Sequence, residues 1–334
     1  MEEKLNRLLE AVASAHKVLI LPHNDPDPDA IASAVALRHL LVQKSGVPVD
    51  IAYRGIIGRA ENKALARYLG QPLRRLVRTD LQATATVALV DTQPGAGNNP
   101  LPASTLATIV LDHHPWREET AAVPFADVRP DTGSTSTILT EYLQASGIEP
   151  DAMLATALFY GIKTDTMGLG RGAGPSDAAA YFYLQPRIDT QALFDIERAQ
   201  VPATYFQSFA ATLQAARIYK NVVTAYIGPV SYPDLAAEMA DMLLRLEGGQ
   251  WIICMGLYKD QITLAVRSRS RRGGAGQLAQ AMINGYGTAG GHGLMAGGQV
   301  PLNGADPVQI VAQMSRNALQ HLNIAPDEPG RPLI

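Results

Sequence analysis

Cysteine is nearly missing from this chain. Cys254 is the only one in 334 residues, so no disulfide can form within the molecule. It sits in the apolar run Gln250 to Gly256, which reads as a strand, and is expected to be a core residue rather than a reactive thiol. Charge is also sparse: 18% of residues are charged and the net charge is −3, which excludes the broad basic footprint of a binder of long duplex DNA or RNA. Any nucleic-acid ligand should therefore be short and gripped locally. No uninterrupted apolar run is long enough to span a membrane, and the amphipathic N-terminus Met1 to Glu10 has no signal-peptide core. A cytoplasmic location and no membrane partner are expected. Internal repeats are lacking. The biased stretches are Pro94 to Pro102, the glycine-rich turn Gly168 to Gly174, and a proline-rich tail from Pro326 that reads as loosely tethered.

What is present is ordinary globular composition, 47% hydrophobic, in a chain long enough for two cores. Residues 1–188 alternate strand and helix patterns, which implies an α/β domain with a mostly parallel sheet covered on both faces. A helical connector over 189–220 carries Phe194, Ile196, Tyr205, Phe206 and Phe209 and should pack against a domain. A smaller α/β domain over 221–325 reads as strand Val222 to Ile227, helix Pro233 to Leu246, strands Trp251 to Leu257 and Gln261 to Val266, and helix Ala275 to Ile283. The tail is 326–334. An active site is expected in the cleft between the two domains.

The most informative segment is His23-Asn24-Asp25-Pro26-Asp27-Pro28-Asp29, directly after the apolar strand pattern Lys17 to Pro22 and before a helix pattern from Ala30 to Leu41. One histidine and three carboxylates at the carboxyl end of a strand sit where open α/β sheets build their sites. Prolines stiffen the turn so that alternate side chains project together, and such a set converges only with a cation to offset its repulsion. The competing reading is a polar turn with a capping aspartate. Thr86 to Val90 likewise runs into Asp91-Thr92, and Ala107 to Leu111 into Asp112-His113-His114. A fourth contributor, Thr164-Asp165-Thr166, ends the apolar stretch Ala152 to Tyr160, so ligand-type residues appear at successive strand ends. Thr132 to Ser136 opens a helix, by simple capping or by phosphate contact.

His23-x3-Asp27-x-Asp29-x3-Ser33, Asp91-Thr92, Asp112-His113-His114 and Thr164-Asp165-Thr166 resemble the four motifs of the DHH phosphoesterases, in order. Arg267-Ser268 and Gly290 to Gly298 resemble the two signatures of the DHH-associated substrate-binding domain, so the resemblance spans about residues 15–300. It implies two divalent cations. One is held by His23 and Asp27, the second by Asp29, His113 and Asp165, with Asp91 bridging both. Two imidazoles among carboxylates suit Mn²⁺ better than Mg²⁺, which prefers oxygen. The resemblance gives Asp91 and His114 catalytic roles, His114 as hydrogen-bond donor to the phosphate or proton source for the leaving group. Asp112 reads as a carboxylate that orients an imidazole, Ser33 as a packing residue, and Asp25 lies outside the ligand set.

For substrate contact the resemblance points to His114, Arg267, Ser268, Gly290, Gly291 and His292. Arg267 leads a basic cluster in which Arg271 and Arg272 read as solvated loop. Gly287 to Gly298 reads as a loop whose glycines around His292 allow close backbone approach to a ligand, although Thr288-Ala289 stands where relatives run glycine. The function implied is that of a nanoRNase or 3′-phosphoadenosine-5′-phosphate phosphatase acting on short oligonucleotides or nucleotide phosphates, with a cyclic or linear dinucleotide phosphodiesterase as the alternative. A nucleotide sensor without turnover is the third reading. A RecJ-like long-strand exonuclease, which usually carries an extra nucleic-acid-binding module, is not expected from a chain of this length. Relatives are often homodimers, which no motif here encodes.

Overall fold

The computed structural model describes residues 1–83, 86–270, 272–325 and 328–334, with backbone alone at Gln82, Ala83 and His292. The chain divides into Met1–Ala199 and Gln200–Ile334. The division falls inside the stretch expected as a connector.

In the first unit the order is α1 (Glu2–Val12), β1 (Val18–Pro22), α2 (Pro28–Ser45), β2 (Val49–Tyr53), α3 (Ala60–Tyr68), β3 (Leu73–Arg75), α4 (Arg78–Ala83), β4 (Thr86–Val90), β5 (Ile109–Asp112), β6 (Phe125–Val128), α5 (Thr135–Ser146), α6 (Ala152–Asp165), α7 (Pro175–Leu184) and α8 (Thr190–Glu197). Six strands form one parallel sheet in the order β3-β2-β1-β4-β5-β6. Its central strands β1, β4 and β5 are buried at every position because both faces are covered. Along β1, Val18 and Ile20 enter the larger core with α2, α5 and α6, whereas Leu19 and Leu21 enter a smaller cluster with Val87, Leu89 and Val110. Strand order reverses between β1 and β4, so a crevice opens beyond their carboxyl ends. The helices beneath it pack closely: a Cβ at Gly161 of α6 would sit 2.4 Å from Ser136 Oγ and 3.1 Å from Asp29 Cα.

The second unit comprises α9 (Ala203–Ala215), β7 (Arg217–Tyr219), β8 (Val222–Pro229), α10 (Leu235–Leu243), β9 (Trp251–Tyr258), β10 (Gln261–Ser268), α11 (Ala275–Ile283), β11 (Thr288–His292), β12 (Met295–Pro301), α12 (Pro307–His321) and β13 (Arg331–Pro332). Its seven-stranded sheet runs β11-β12-β10-β9-β8-β7-β13, with β8 and β9 parallel and the other neighbours antiparallel. Ile253 and Met255 face α11 and α12, while Ile252 and Cys254 face α9 and α10. Cys254 is fully buried, and burial pushes its thiol up to about 12, which suits a core residue.

Three expectations need revision. Residues 189–220 are not helical throughout, because Arg217–Tyr219 is a strand. Within this stretch Ile196, Tyr205 and Phe209 pack inward, whereas Phe194 and Phe206 are exposed. The glycine-rich stretch after Gly287 is a β-hairpin rather than an irregular loop, with Thr288 opposite Gln299 and His292 opposite Met295. The tail is tied down where it is described: Arg331 and Pro332 pair with β7, and Leu333 N donates to Ala216 O. Pro326 and Asp327 lie outside the described residues. Among the described residues no helix is long and apolar enough to cross a membrane.

Candidate metal centre

His23 follows β1, Asp91 follows β4 and Asp112 closes β5, three adjacent parallel strands. Helix α2 starts two residues earlier than its apolar pattern suggested, with Asp27 as N-cap accepting from Ala30 N at 3.0 Å and Pro28 in the first turn. Asp29 is therefore already helical and points inward, fully buried. Its two oxygens accept the backbone N–H groups of Ser136 and Thr135, each at 2.7 Å. The amino end of α5 thus stabilises a buried carboxylate. Ser134 caps the same helix by accepting from Thr137 N at 3.2 Å, and Ser33 lies 3.4 Å from Asp29 and 3.3 Å from Ser136, in a packing position.

Both imidazoles are held by their Nδ1 atoms. His23 Nδ1 donates to Asn24 O at 2.7 Å and His113 Nδ1 to Thr132 O at 3.3 Å; a carbonyl can only accept, so each Nε2 is left as a lone-pair donor. His23 Nε2 then faces Asp27 Oδ1 at 3.6 Å and Asp91 Oδ2 at 3.5 Å. His113 Nε2 faces Asp91 Oδ1 at 3.4 Å and Asp165 Oδ2 at 3.5 Å, and it is buried without a hydrogen-bond partner. These separations exceed the roughly 3.2 Å limit of a good N–H···O bond. They suit two donors that share one cation at about 2.1 Å from each.

The ligand-type atoms converge as His23 with Asp27 and Asp91, as Asp29 with His113 and Asp165, and as Asp91 with His113 and His114, each set within 4.8 Å. Asp91 joins the sets by giving one oxygen to each imidazole. It is buried, has a left-handed backbone with φ 59°, and takes a 3.0 Å hydrogen bond from Thr135 Oγ1. Asp165 ends helix α6, so the fourth contribution comes from a helix and not from a strand end. A carboxylate there faces the negative end of the helix dipole.

The electrostatics are unbalanced without a cation. Burial, with Asp91 and Asp27 nearby, pushes the Asp29 carboxyl well above its usual range, and burial with Asp29, Asp27 and Asp91 does the same to Asp165. Burial pulls His23 down, but Asp27 and Asp91 outweigh it and raise the imidazole to about 10. A divalent ion would reverse these preferences, and the orphaned His113 Nε2 and the mixed imidazole-carboxylate donors fit one.

His114, 3.7 Å from Asp91 Oδ1 through its Nδ1, is also held by a further carboxylate. Its Nδ1 donates to Asp112 Oδ1 at 2.8 Å, and fully buried Asp112 also accepts from His113 N at 2.9 Å and Gln93 Nε2 at 2.7 Å. Burial disfavours the His114 cation, yet Asp112 and Asp91 raise its pKa to about 9. Asp25 turns away from the cluster and accepts from Ile56 N at 2.6 Å.

Two residues of structural weight were not singled out from sequence. Asp177 accepts from Gly133 N and Gly174 N at 2.8 Å and from Thr137 Oγ1 at 2.6 Å, and so fixes the segment that carries Thr132 O. Gln93 is the other. A polar residue two places after Asp91 was the only signal for it.

In the second unit, Arg267 is 5% exposed; its Nε donates to Asp241 Oδ1 at 2.5 Å and its Nη1 to Val266 O at 3.1 Å. Ser268 is buried and accepts from Ser270 N at 3.0 Å. Gly290 and Gly291 lie on β11, and Gly291 has φ 141° with Ala296 Cα 2.4 Å from where a Cβ would be. The His292 side chain and all of Arg271 lie outside the described residues.

Residues 17–162, the stretch that carries all these strand ends, match the DHH family, N-terminal domain. This stretch is a DHH-family N-terminal domain. The chain is 38% identical over 286 residues to an uncharacterized protein of Methanocaldococcus jannaschii, covering 85% of this chain and 58% of that protein. It is 30% identical over 258 residues to the cyclic-di-AMP phosphodiesterase GdpP of Geobacillus thermodenitrificans, covering 72% of this DHH chain and 39% of GdpP. The chain therefore spans less than two thirds of either relative. Among solved structures, an exopolyphosphatase-related protein of Bacteroides fragilis superposes with a TM-score of 0.72 over 96% of both chains at 16% identity, a likeness of fold.

Proposed function

We propose that this DHH protein is a two-metal-dependent phosphoesterase acting on short oligonucleotides or nucleotide phosphates. One observation carries the reading: Asp91 presents its two oxygens to two different imidazoles, His23 at 3.5 Å and His113 at 3.4 Å, each backed by a further carboxylate. His23, Asp27 and Asp91 would hold one cation, and Asp29, His113 and Asp165 with Asp91 the other. Mn²⁺ suits this donor set, with Mg²⁺ as the alternative. When bound, the pair supplies Lewis acidity toward a phosphoryl oxygen and hydroxide from water at neutral pH.

The chain's own groups do the rest. His114, held by Asp112, donates a hydrogen bond to a non-bridging phosphate oxygen or a proton to the leaving oxygen. The buried Asp29 carboxylate, the half-buried Asp165 carboxylate and the left-handed turn at Asp91 preorganise the acceptors, so little reorganisation accompanies binding. We assign substrate contact to His114, Arg267, Ser268, Gly290, Gly291 and His292. A cyclic or linear dinucleotide substrate is the second reading, and the similarity to a cyclic-di-AMP phosphodiesterase favours it.

The test is hydrolysis of bis-p-nitrophenyl phosphate, pApA, 3′-phosphoadenosine-5′-phosphate and cyclic di-AMP with Mn²⁺, before and after Asp91→Asn. Turnover should fall about a thousandfold or more in the variant. Equal rates would reject the two-metal reading, and an intact chain inert on all four substrates would favour a sensor.

A further inference from the structure

Gln93 is 1% exposed, and its amide is bonded at both ends. Its Oε1 accepts from Arg117 N at 3.0 Å and Thr120 Oγ1 at 2.9 Å. Its Nε2 donates to Asp112 Oδ2 at 2.7 Å and Pro115 O at 3.0 Å, with His114 O 3.5 Å away. The orientation of this amide is over-determined. A backbone N–H can only donate, and a carboxylate or carbonyl oxygen accepts, so Oε1 must face Arg117 and the NH₂ must face Asp112.

That fixed NH₂ occupies Oδ2 of Asp112 and leaves Oδ1 to the N–H of His113 and to Nδ1 of His114, both of which the same oxygen accepts. Nδ1 of His114 thereby carries a proton toward the carboxylate, and Nε2, the nitrogen left to donate to a phosphate, is turned away from it. Pro115 O and Arg117 N, taken up by the two ends of one amide, also fix the chain on which His114 sits. We propose that Gln93 is a positioning residue for the phosphoesterase reaction: through Asp112 it sets the orientation and proton placement of the His114 imidazole that faces the scissile phosphate. This rests on the phosphoesterase reading and adds a residue that lies in none of the metal-binding sets.

Gln93→Met keeps the side-chain length and removes both donor and acceptor. It should lower kcat on a chromogenic phosphodiester about 10- to 100-fold, with KM and the Mn²⁺ dissociation constant, measured calorimetrically, each within about twofold. Combined with His114→Gln it should change kcat by less than about twofold, because residues acting through one another are not additive. Thr120→Val, which removes a bond to Oε1 without touching Asp112, should lower Tm but leave kcat within about twofold. If Gln93→Met does not fold, Gln93→Asn, whose amide is one methylene too short to span Asp112 and Arg117, serves in its place with the same expectations. A second readout needs no turnover: ¹⁵N histidine spectra of the Mg²⁺-loaded protein should show the Nδ1–H of His114 in a hydrogen bond to Asp112, and that signature should be lost in the Gln93 variant.

An equal loss of kcat with and without His114, a parallel loss of Mn²⁺ affinity, or an unchanged His114 spectrum would each overturn the proposal. If the intact protein hydrolyses no phosphoester, the phosphoesterase reading fails, while the spectra still decide whether Gln93 sets His114.

Discussion

The two halves of the candidate centre are built differently. The half formed by Asp29, His113 and Asp165 is deep, with Asp29 fully buried and held by two backbone N–H groups of α5, and His113 tied to Thr132 O. The half formed by His23 and Asp27 is shallow; the Asp27 side chain is 41% exposed, and its scaffold is local, Asn24 O and the Ala30 N–H. Asp29 is fixed by contacts more than a hundred residues away in sequence, at Thr135 and Ser136, so this deep ligand is placed only when the domain forms. Shallow ligands come with one turn and one helix cap. Damage to the deep half should therefore cost stability and metal together, whereas damage to the shallow half should cost metal with no more stability than one helix cap supplies.

The strongest way to press this contrast is Asp177→Ala, which touches no ligand. It strands the Gly133 and Gly174 N–H groups and frees the segment holding His113, so we expect a loss of about 2–4 kcal/mol in urea unfolding. Calorimetry should show Mn²⁺ at the deep half weakened about tenfold. Unchanged affinity would mean that the scaffold and the ligands are independent. In the shallow half, Asp27→Ala removes a cap bond worth about 1 kcal/mol, and titration should fall from two Mn²⁺ per chain to one. A loss of both ions would erase the distinction.

The smallest expected effect lies away from either half, at Asp127. Burial pushes this carboxyl up, but hydrogen bonds from Arg129 at 2.6 Å and Lys4 at 2.6 Å outweigh it and hold its pKa below the ordinary range. The unfolded chain then binds the proton first, so the stabilisation is present above the ordinary carboxylate pKa of about 3.9 and is lost as pH falls through the lower folded value. Asp127→Asn should make acid unfolding below about pH 4 less steep and leave Mn²⁺ binding at pH 7 unchanged. A shift in Mn²⁺ affinity would show that this outlying pair reaches the centre.

Candidate ligands of both halves were legible from sequence. His23, Asp27 and Asp29 are spaced along one rigid turn, and Asp91 and Asp112-His113-His114 each end an apolar run that could be read as a parallel strand. What sequence could not convey is where backbone donors go. Asp177 is 44 residues from Gly133, and Gln93 is 24 from Arg117, and neither partner has a distinctive side chain to announce the bond. Asp165 was legible as a site residue but not as the end of a helix, since the stretch before it is buried nearly all round and shows no amphipathic period. The hairpin of β11 and β12 was hidden for a related reason: glycines carry no side chain to alternate between faces, so only the backbone ladders of β11 on β12 and β12 on β10 define it.

The left-handed backbone at Asp91 has a consequence of its own. Asparagine tolerates that conformation about as readily as aspartate, while β-branched residues do not. Asp91→Asn should consequently keep strand register and the turn intact while exchanging one anionic oxygen for an amide nitrogen. Architecture and reactivity part company at a single atom there, which makes this position the natural place to obtain a folded but silent form able to trap an uncleaved ligand.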